Sequence, residues 1–247
     1  MTCCKLYTAG YTAALSYAIN FLKGNNFTIL SRPEGATHLL LPTPSFEPDG
    51  RIKGGGDLKE ILGKLPKDIT ILGGNLSRPE FSKYHTIDFL QDPVYLAENA
   101  AITAHCAVTL AMGKLPVTLQ ECPVLVIGWG RIGKCLAELL RQIGANVTVA
   151  ARKESDRAIL AALGYGVVNT NALDTALYRV IFNTVPVMIS PDTPGNALKI
   201  DLASSLGLGG SDVIWARGLP NNDAPESSGA LIARTAMRLT SGKEFLL

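Results

Sequence analysis

The amino-acid sequence predicts an α/β fold in two parts, and three observations predict it. Short apolar runs alternate with helical stretches through the first part of the chain. A continuous apolar run, Val124–Ile127, then opens directly into a glycine pattern and a helix. A second strand-like run, Asn146–Ala150, follows that helix and completes a strand–helix–strand unit.

Taken in order, Lys5–Thr8 reads as a strand, and Tyr11–Leu22 has helical spacing after a turn at Gly10. Phe27–Leu30, His38–Leu41 and Ile69–Leu72 are short β-type runs. Between them lie the glycine- and proline-rich loops Leu41–Gly50, Gly54–Gly56 and Gly73–Asn75, and loops after strand ends are where α/β folds place ligands. A long helix is expected over Ala97–Met112; it is rich in small residues that allow close packing, and Gly113 can end it. His105, set among Ala and Cys on this helix, reads as a packed residue rather than a base. No repeat or low-complexity segment is evident.

Composition narrows the class. Of 247 residues, 47% are apolar and 18% charged, which suits a packed globular enzyme. A net charge of +2, with the basic residues dispersed, argues against a nucleic-acid partner. No apolar run approaches the ~20 residues of a membrane span, and the N-terminus lacks the pattern of a secretory signal. The expectation is a cytoplasmic protein with no membrane partner. Neither the five cysteines nor the three histidines take a zinc-ligand spacing, so no metal is expected; the cysteines read as reduced thiols, with a redox role for the Cys3–Cys4 pair as the lesser reading.

The chemistry is carried by Gly128, Trp129, Gly130, Arg131, Ile132 and Gly133, a G-x-G-x-x-G between strand and helix. The first glycine permits a tight turn, the second lets a pyrophosphate approach the backbone, and the third lets helix and strand pack closely. Exposed N–H groups and the dipole at the helix start favour phosphate. This is the pattern of a Rossmann dinucleotide-binding domain. Where an NAD site carries Asp or Glu at the end of the second strand, this chain has Ala151, Arg152 and Lys153, with Ser155 beyond. A carboxylate would repel a 2′-phosphate, whereas Arg152 can pair with it. The reading therefore favours NADP(H), with NAD(H) as the alternative; solvated surface charge is the bland explanation.

Two later runs, Val180–Pro186 and Ala197–Ser204, read as strands delivering Asn183, Thr184, Val185, Pro186, Asp201, Leu202 and Ala203 to the same crevice. Asp201 is either an orienting carboxylate or a turn residue. A third run, Asp212–Ala216, leads to the sharp loop Gly218-Leu219-Pro220. Helical periodicity returns over Ser228–Leu239.

With VLVIGWGRIG, VTVAARK, FNTVP, IDLASSLGLGG and RGLPNNDAPESSG in this order, and weaker matches at LPTPSFEPDGRI and DPVYLAENA, the chain resembles the family of dipicolinate synthase A-type subunits. That family is built like the 2-hydroxyacid dehydrogenases. The resemblance implies a Rossmann domain (98–225) with a smaller N-terminal α/β, flavodoxin-like substrate domain (1–97), and a C-terminal helix (about 226–247) returning to the first domain. It further implies oxidation of a dihydrodipicolinate-type cyclic dicarboxylate to dipicolinate during sporulation, in partnership with a separate B-type subunit. Two departures stand out. The N-terminal part looks shortened, and Glu226 stands where the family carries Lys, which bears on substrate identity.

Hydride transfer also needs a group to move a proton, and no acid–base pair stands out. Substrate-side candidates are Glu98 and Asn99 on the long helix, Ser204 and Ser205, the loop Pro42, Thr43 and Pro44, and Gly218, Leu219 and Pro220. For the serines a plain turn is the competing reading. The alternatives are a dehydrogenase of another small acid, or a non-catalytic NADP(H)-binding subunit or sensor. A site shared with a second copy makes a homo-oligomer, such as a homodimer, the expected assembly.

Overall fold

A computed structural model describes residues 4–25, 27–189 and 196–241. Cys3 of the vicinal pair, and the end of the expected C-terminal helix after Ser241, lie outside the described residues. The chain divides into two units, one of Met1–Asn99 with Pro220–Leu247 and the other of Ala100–Leu219.

In the first unit, β1 (Cys4–Thr8), β2 (Phe27–Leu30), β3 (His38–Leu40), β4 (Thr70–Gly73) and β5 (His85–Asp88) form one all-parallel sheet in the order β2-β1-β3-β4-β5. This is the flavodoxin-like order, with its reversal between β1 and β3. Helix α1 (Ala13–Lys23) starts where the Thr12 side chain accepts the Leu15 N–H at 3.1 Å. Leu6, Leu39, Leu40, Ile71 and Leu72 are fully buried in the sheet. Helix α2 (Leu58–Lys64), capped by Asp57, buries none of its residues.

Helix α3 (Pro93–Lys114) begins four residues before the expected Ala97. The reason is local: Asp92 accepts the Tyr95 N–H at 2.7 Å, and Pro93 needs no donor in the first turn. Its Ala100, Ala104, Ala107 and Ala111 are buried at helical spacing. His105 is exposed, not packed as expected, because it falls on the opposite face of that stripe.

The second unit carries β6 (Pro123–Ile127), β7 (Asn146–Ala150), β8 (Gly166–Val168), β9 (Val180–Asn183), β10 (Leu198–Asp201) and β11 (Val213–Trp215). All pair in parallel, in the order β11-β10-β9-β6-β7-β8. Numbered within the unit and read from β8, this is 3-2-1-4-5-6, the Rossmann order, reversing between β6 and β9. The fold class is therefore as the sequence predicts. Helix α4 (Arg131–Gln142) buries Gly133, Leu136, Ala137 and Leu140, one face at i, i+3, i+4 and i+7. Helix α5 (Glu154–Ala162) connects β7 to β8.

The chain re-enters the first unit at Pro220, ahead of the expected position 226. In α6 (Leu219–Asp223) Asn221 donates to the Thr43 carbonyl at 3.0 Å, which anchors this stretch to the loop after β3. Helix α7 (Pro225–Ser241) then packs on α1: a Cβ on Gly229 would lie 2.5 Å from the Ala14 carbonyl oxygen. Arg234 and Arg238 of α7 pair with Glu98 and Asp92 at 2.6 and 2.5 Å.

Candidate dinucleotide site

β6 is buried throughout Val124–Ile127, and at its end Gly128 takes φ +106, a conformation L side chains rarely adopt. A Cβ on Gly128 would meet Thr184 Oγ1 at 2.4 Å and Val185 Cγ2 at 2.7 Å. A Cβ on Gly133 would meet the Gly128 carbonyl oxygen at 2.1 Å. Both glycines are thus required by the fold itself. Gly130 differs: its φ of −83 is open to any residue, and its Cβ would meet nothing within 4 Å. The space in front of Gly130 is the cradle that a diphosphate needs, and the protein's own packing does not use it.

Gly130 is also the N-cap of α4 and contributes no capping side chain, so the first-turn N–H groups face that space without a side-chain cap. Arg131 stands exposed at the first helical position, with no ion pair among the described residues. A cation at a helix N-terminus is disfavoured by the dipole unless an anion joins it. These residues fit a dinucleotide.

Trp129 turns aside. Its ring meets Tyr165 edge-on at 5.9 Å and lies 5.7 Å from Lys134 Nζ. Tyr165 donates to Glu138 at 2.9 Å, and Arg141 pairs with the same carboxylate at 2.6 Å. The Tyr165 hydrogen bond, then the Arg141 one, holds the Glu138 carboxyl below the usual range. Trp129, expected as a cofactor residue, therefore offers a ligand its backbone rather than its indole. Ile132, half-buried, continues the first turn of α4.

At the end of β7, Ala151 is 2% exposed and donates to the Val168 carbonyl at 3.1 Å. Arg152, Lys153 and Ser155 follow, all exposed. Neither Arg152 nor Lys153 has a partner for its side-chain charge among the described residues. Lys153 is the N-cap of α5, and Ser155 sits in that helix's first turn. Sequence reasoning missed Arg157, whose Nη1 donates to the carbonyls of Ala151 at 2.9 Å and Arg152 at 2.6 Å.

On the other side of the reversal, Asn183 and Asp201 end β9 and β10 fully buried. Asp201 accepts four hydrogen bonds, from Ala203 N, Gly207 N, Leu208 N and Asn183 Nδ2, at 2.8–2.9 Å. Asn183 spends both ends of its amide on Asp201 and on the Val185 backbone. Thr184 Oγ1 donates to the Ile127 carbonyl at 2.9 Å. Asn183 and Asp201 were expected as ligand contacts; saturated by protein donors and acceptors, they shape the loops instead. Ile189 donates to the Gly207 carbonyl at 2.7 Å, so the loops after β9 and β10 are joined. Leu202 and Ala203 are buried beneath them, while Pro186, Ser204 and Ser205 are exposed at the surface of the same two loops.

The substrate-side candidates are divided. Ser204, Ser205, Gly218 and Leu219 belong to the second unit; Pro42, Thr43, Pro44, Glu98, Asn99 and Pro220 belong to the first. Glu98, expected to face substrate, is held by Arg234. The loop after β3 lies at the reversal of the first sheet, the ligand-bearing position of such sheets. Ser45 Oγ donates to the Pro42 carbonyl at 2.7 Å and accepts from Gly74 N at 3.0 Å, and the Thr43–Pro44 bond is cis. The Thr43 hydroxyl is buried there with no hydrogen-bond partner among the described residues. No group of His, Cys, Asp and Glu able to hold a metal occurs among the described residues, and no helix among them is long and apolar enough to cross a membrane.

The Rossmann sheet order, the glycine loop at its reversal and the unpaired cations beside it define the class: a two-unit α/β protein built like the dinucleotide-dependent dehydrogenases. Within that class the fold is similar to the A-type subunit of dipicolinate synthase from Bacillus halodurans, with a TM-score of 0.83, 20% identity and coverage of 95% of this chain and 97% of that one. The corresponding chain of the Bacillus subtilis dipicolinate synthase gives 0.82 and 21%, with 98% and 97% covered. A transhydrogenase from Sinorhizobium meliloti gives 0.67 and 10%, with 96% and 93% covered. That coverage does not support the shortened N-terminal part expected from the sequence. No family profile matches the chain, and no curated protein matches it.

Proposed function

We propose that the chain is an NADP(H)-dependent oxidoreductase acting on a small cyclic dicarboxylate of the dihydrodipicolinate type. The observation that carries the reading is the open cradle at Gly130, flanked by the unpaired Arg131, Arg152 and Lys153. Arg131 and the first turn of α4 would hold the pyrophosphate, and Arg152 and Lys153 the 2′-phosphate, by charge-assisted hydrogen bonds. A bound nicotinamide supplies hydride acceptor or donor chemistry, which no side chain can. Ser204 and Ser205 offer hydroxyl donors, and Thr43 a buried hydroxyl, for carboxylate groups. The names of the solved structures sharing the fold support the substrate class and a B-type partner.

A second reading, a non-catalytic NADP(H)-binding subunit, is favoured by one observation. Both carboxylates considered for the chemistry, Asp201 and Glu98, are committed to protein partners. Turnover separates the two readings. The purified chain is mixed with NADP+ and freshly generated dihydrodipicolinate, and NADPH absorbance and dipicolinate are followed. Formation of both supports the enzyme; binding of NADPH with no turnover, whether or not a B-type partner is present, supports the second reading.

A further inference from the structure

Arg157 sits on the fourth residue of α5 and reaches back over the turn that precedes its own helix. One nitrogen, Nη1, carries two hydrogens and serves two consecutive carbonyls, Ala151 at 2.9 Å and Arg152 at 2.6 Å. A trans peptide turns its N–H opposite to its carbonyl. Tying the carbonyls of residues 151 and 152 toward α5 therefore turns the N–H groups of Arg152 and Lys153 the other way. Ala151 is fixed independently through its bond to Val168 in β8. The turn that carries Arg152 is thus set by two anchors, one on the sheet and one on α5. The remaining guanidinium N–H groups of Arg157 have no partner among the described residues, and Arg157 is half-buried.

We propose that Arg157 is the positioning residue for recognition of a 2′-phosphorylated adenosine: it locks the turn after β7 so that Arg152 and Lys153 present their charge together. The inference rests on the NADP(H) reading and deepens it. Without the tether Arg152 keeps its charge but loses its fixed geometry, and bidentate pairing depends on geometry. Arg157 touches neither the pyrophosphate cradle nor Gly130, so the unphosphorylated cofactor is unaffected by its loss.

The test compares Kd values for NADPH and NADH, and for adenosine 2′,5′-bisphosphate and AMP, in the wild type, Arg157→Met and Arg157→Lys, with circular dichroism to establish folding. Arg157→Met is expected to weaken NADPH and the bisphosphate about tenfold or more while leaving NADH and AMP within about twofold. Arg157→Lys, whose ammonium can donate to both carbonyls, is expected to keep most of the preference. Equal losses for phosphorylated and unphosphorylated ligands, an unchanged NADPH/NADH ratio in Arg157→Met, or a Lys variant as poor as the Met variant would each overturn the role. A wild type that does not prefer NADPH removes the NADP(H) reading and this inference together; a wild type that prefers it, with variants that keep the preference, removes the inference alone.

Discussion

Replacing Gly130 by Ala separates what the fold needs from what a ligand needs. The backbone at Gly130, φ −83 and ψ −169, is extended and open to Ala, and the new methyl would meet nothing within 4 Å. Removing a glycine from the unfolded chain stabilises by about 0.4–1 kcal/mol, while Ala in place of Gly at an N-cap costs about as much. The two effects offset to within about 1 kcal/mol, so Tm should move by less than about 4 °C. Dinucleotide binding should not survive so well. The methyl occupies the space where a diphosphate would meet the first turn of α4, and each hydrogen bond to a charged group contributes about 1.5–3 kcal/mol. Losing one of them weakens binding by about tenfold to a hundredfold. Gly128→Ala supplies the contrast: positive φ and a methyl 2.4 Å from Thr184 Oγ1 should cost about 2–5 kcal/mol of stability. Calorimetric titration with NADPH, beside a thermal melt of each variant, reads both effects. Unimpaired NADPH binding by a folded Gly130→Ala variant would refute the reasoning.

Other perturbations address the flanking elements. Arg152→Asp should weaken NADPH by about tenfold to a hundredfold, from one charge-assisted contact, and leave NADH nearly unchanged; parallel Kd measurements that fall equally would remove Arg152 from the 2′-phosphate. Asp201→Ala strands four buried donors and should lower the unfolding free energy by about 3 kcal/mol or more in urea, whereas a change below about 1 kcal/mol would mean the loops after β9 and β10 are held otherwise. The Lys199 hydrogen bond holds the Asp212 carboxyl below its ordinary 3.8, so its contribution is present above that value and lost as pH falls through the lowered one. Urea midpoints for the wild type and Asp212→Asn should therefore converge at acid pH and separate toward neutrality; a constant gap would contradict the assignment.

How much of this was legible in the sequence depends on local signals. β6, the glycine loop, α4 and β7 read directly, because a strand buried on both faces is continuously apolar and the glycine spacing has a fixed mechanical meaning. α5 was overlooked although Glu154 and Asp156 in its first turn and Gly164 beyond its end are ordinary helix signals. Overlooking it hid Arg157, whose reach back to Ala151 depends on that helix. β5 and β8 gave little signal, since His85–Asp88 is half polar and Gly166–Val168 has three residues. The roles of Asn183 and Asp201 were not readable at all. Residues delivered to a sheet's ligand edge look alike in sequence whether they face a ligand or, as here, tie Val185, Gly207 and Leu208 together across 18 residues of chain between them.

The central claim is tested most directly by calorimetric titration of the wild-type chain with NADPH and, separately, with NADH. The account predicts saturable binding of one NADPH per chain, weaker binding of NADH, and loss of both in Gly130→Ala. A folded wild type that binds neither dinucleotide would contradict it.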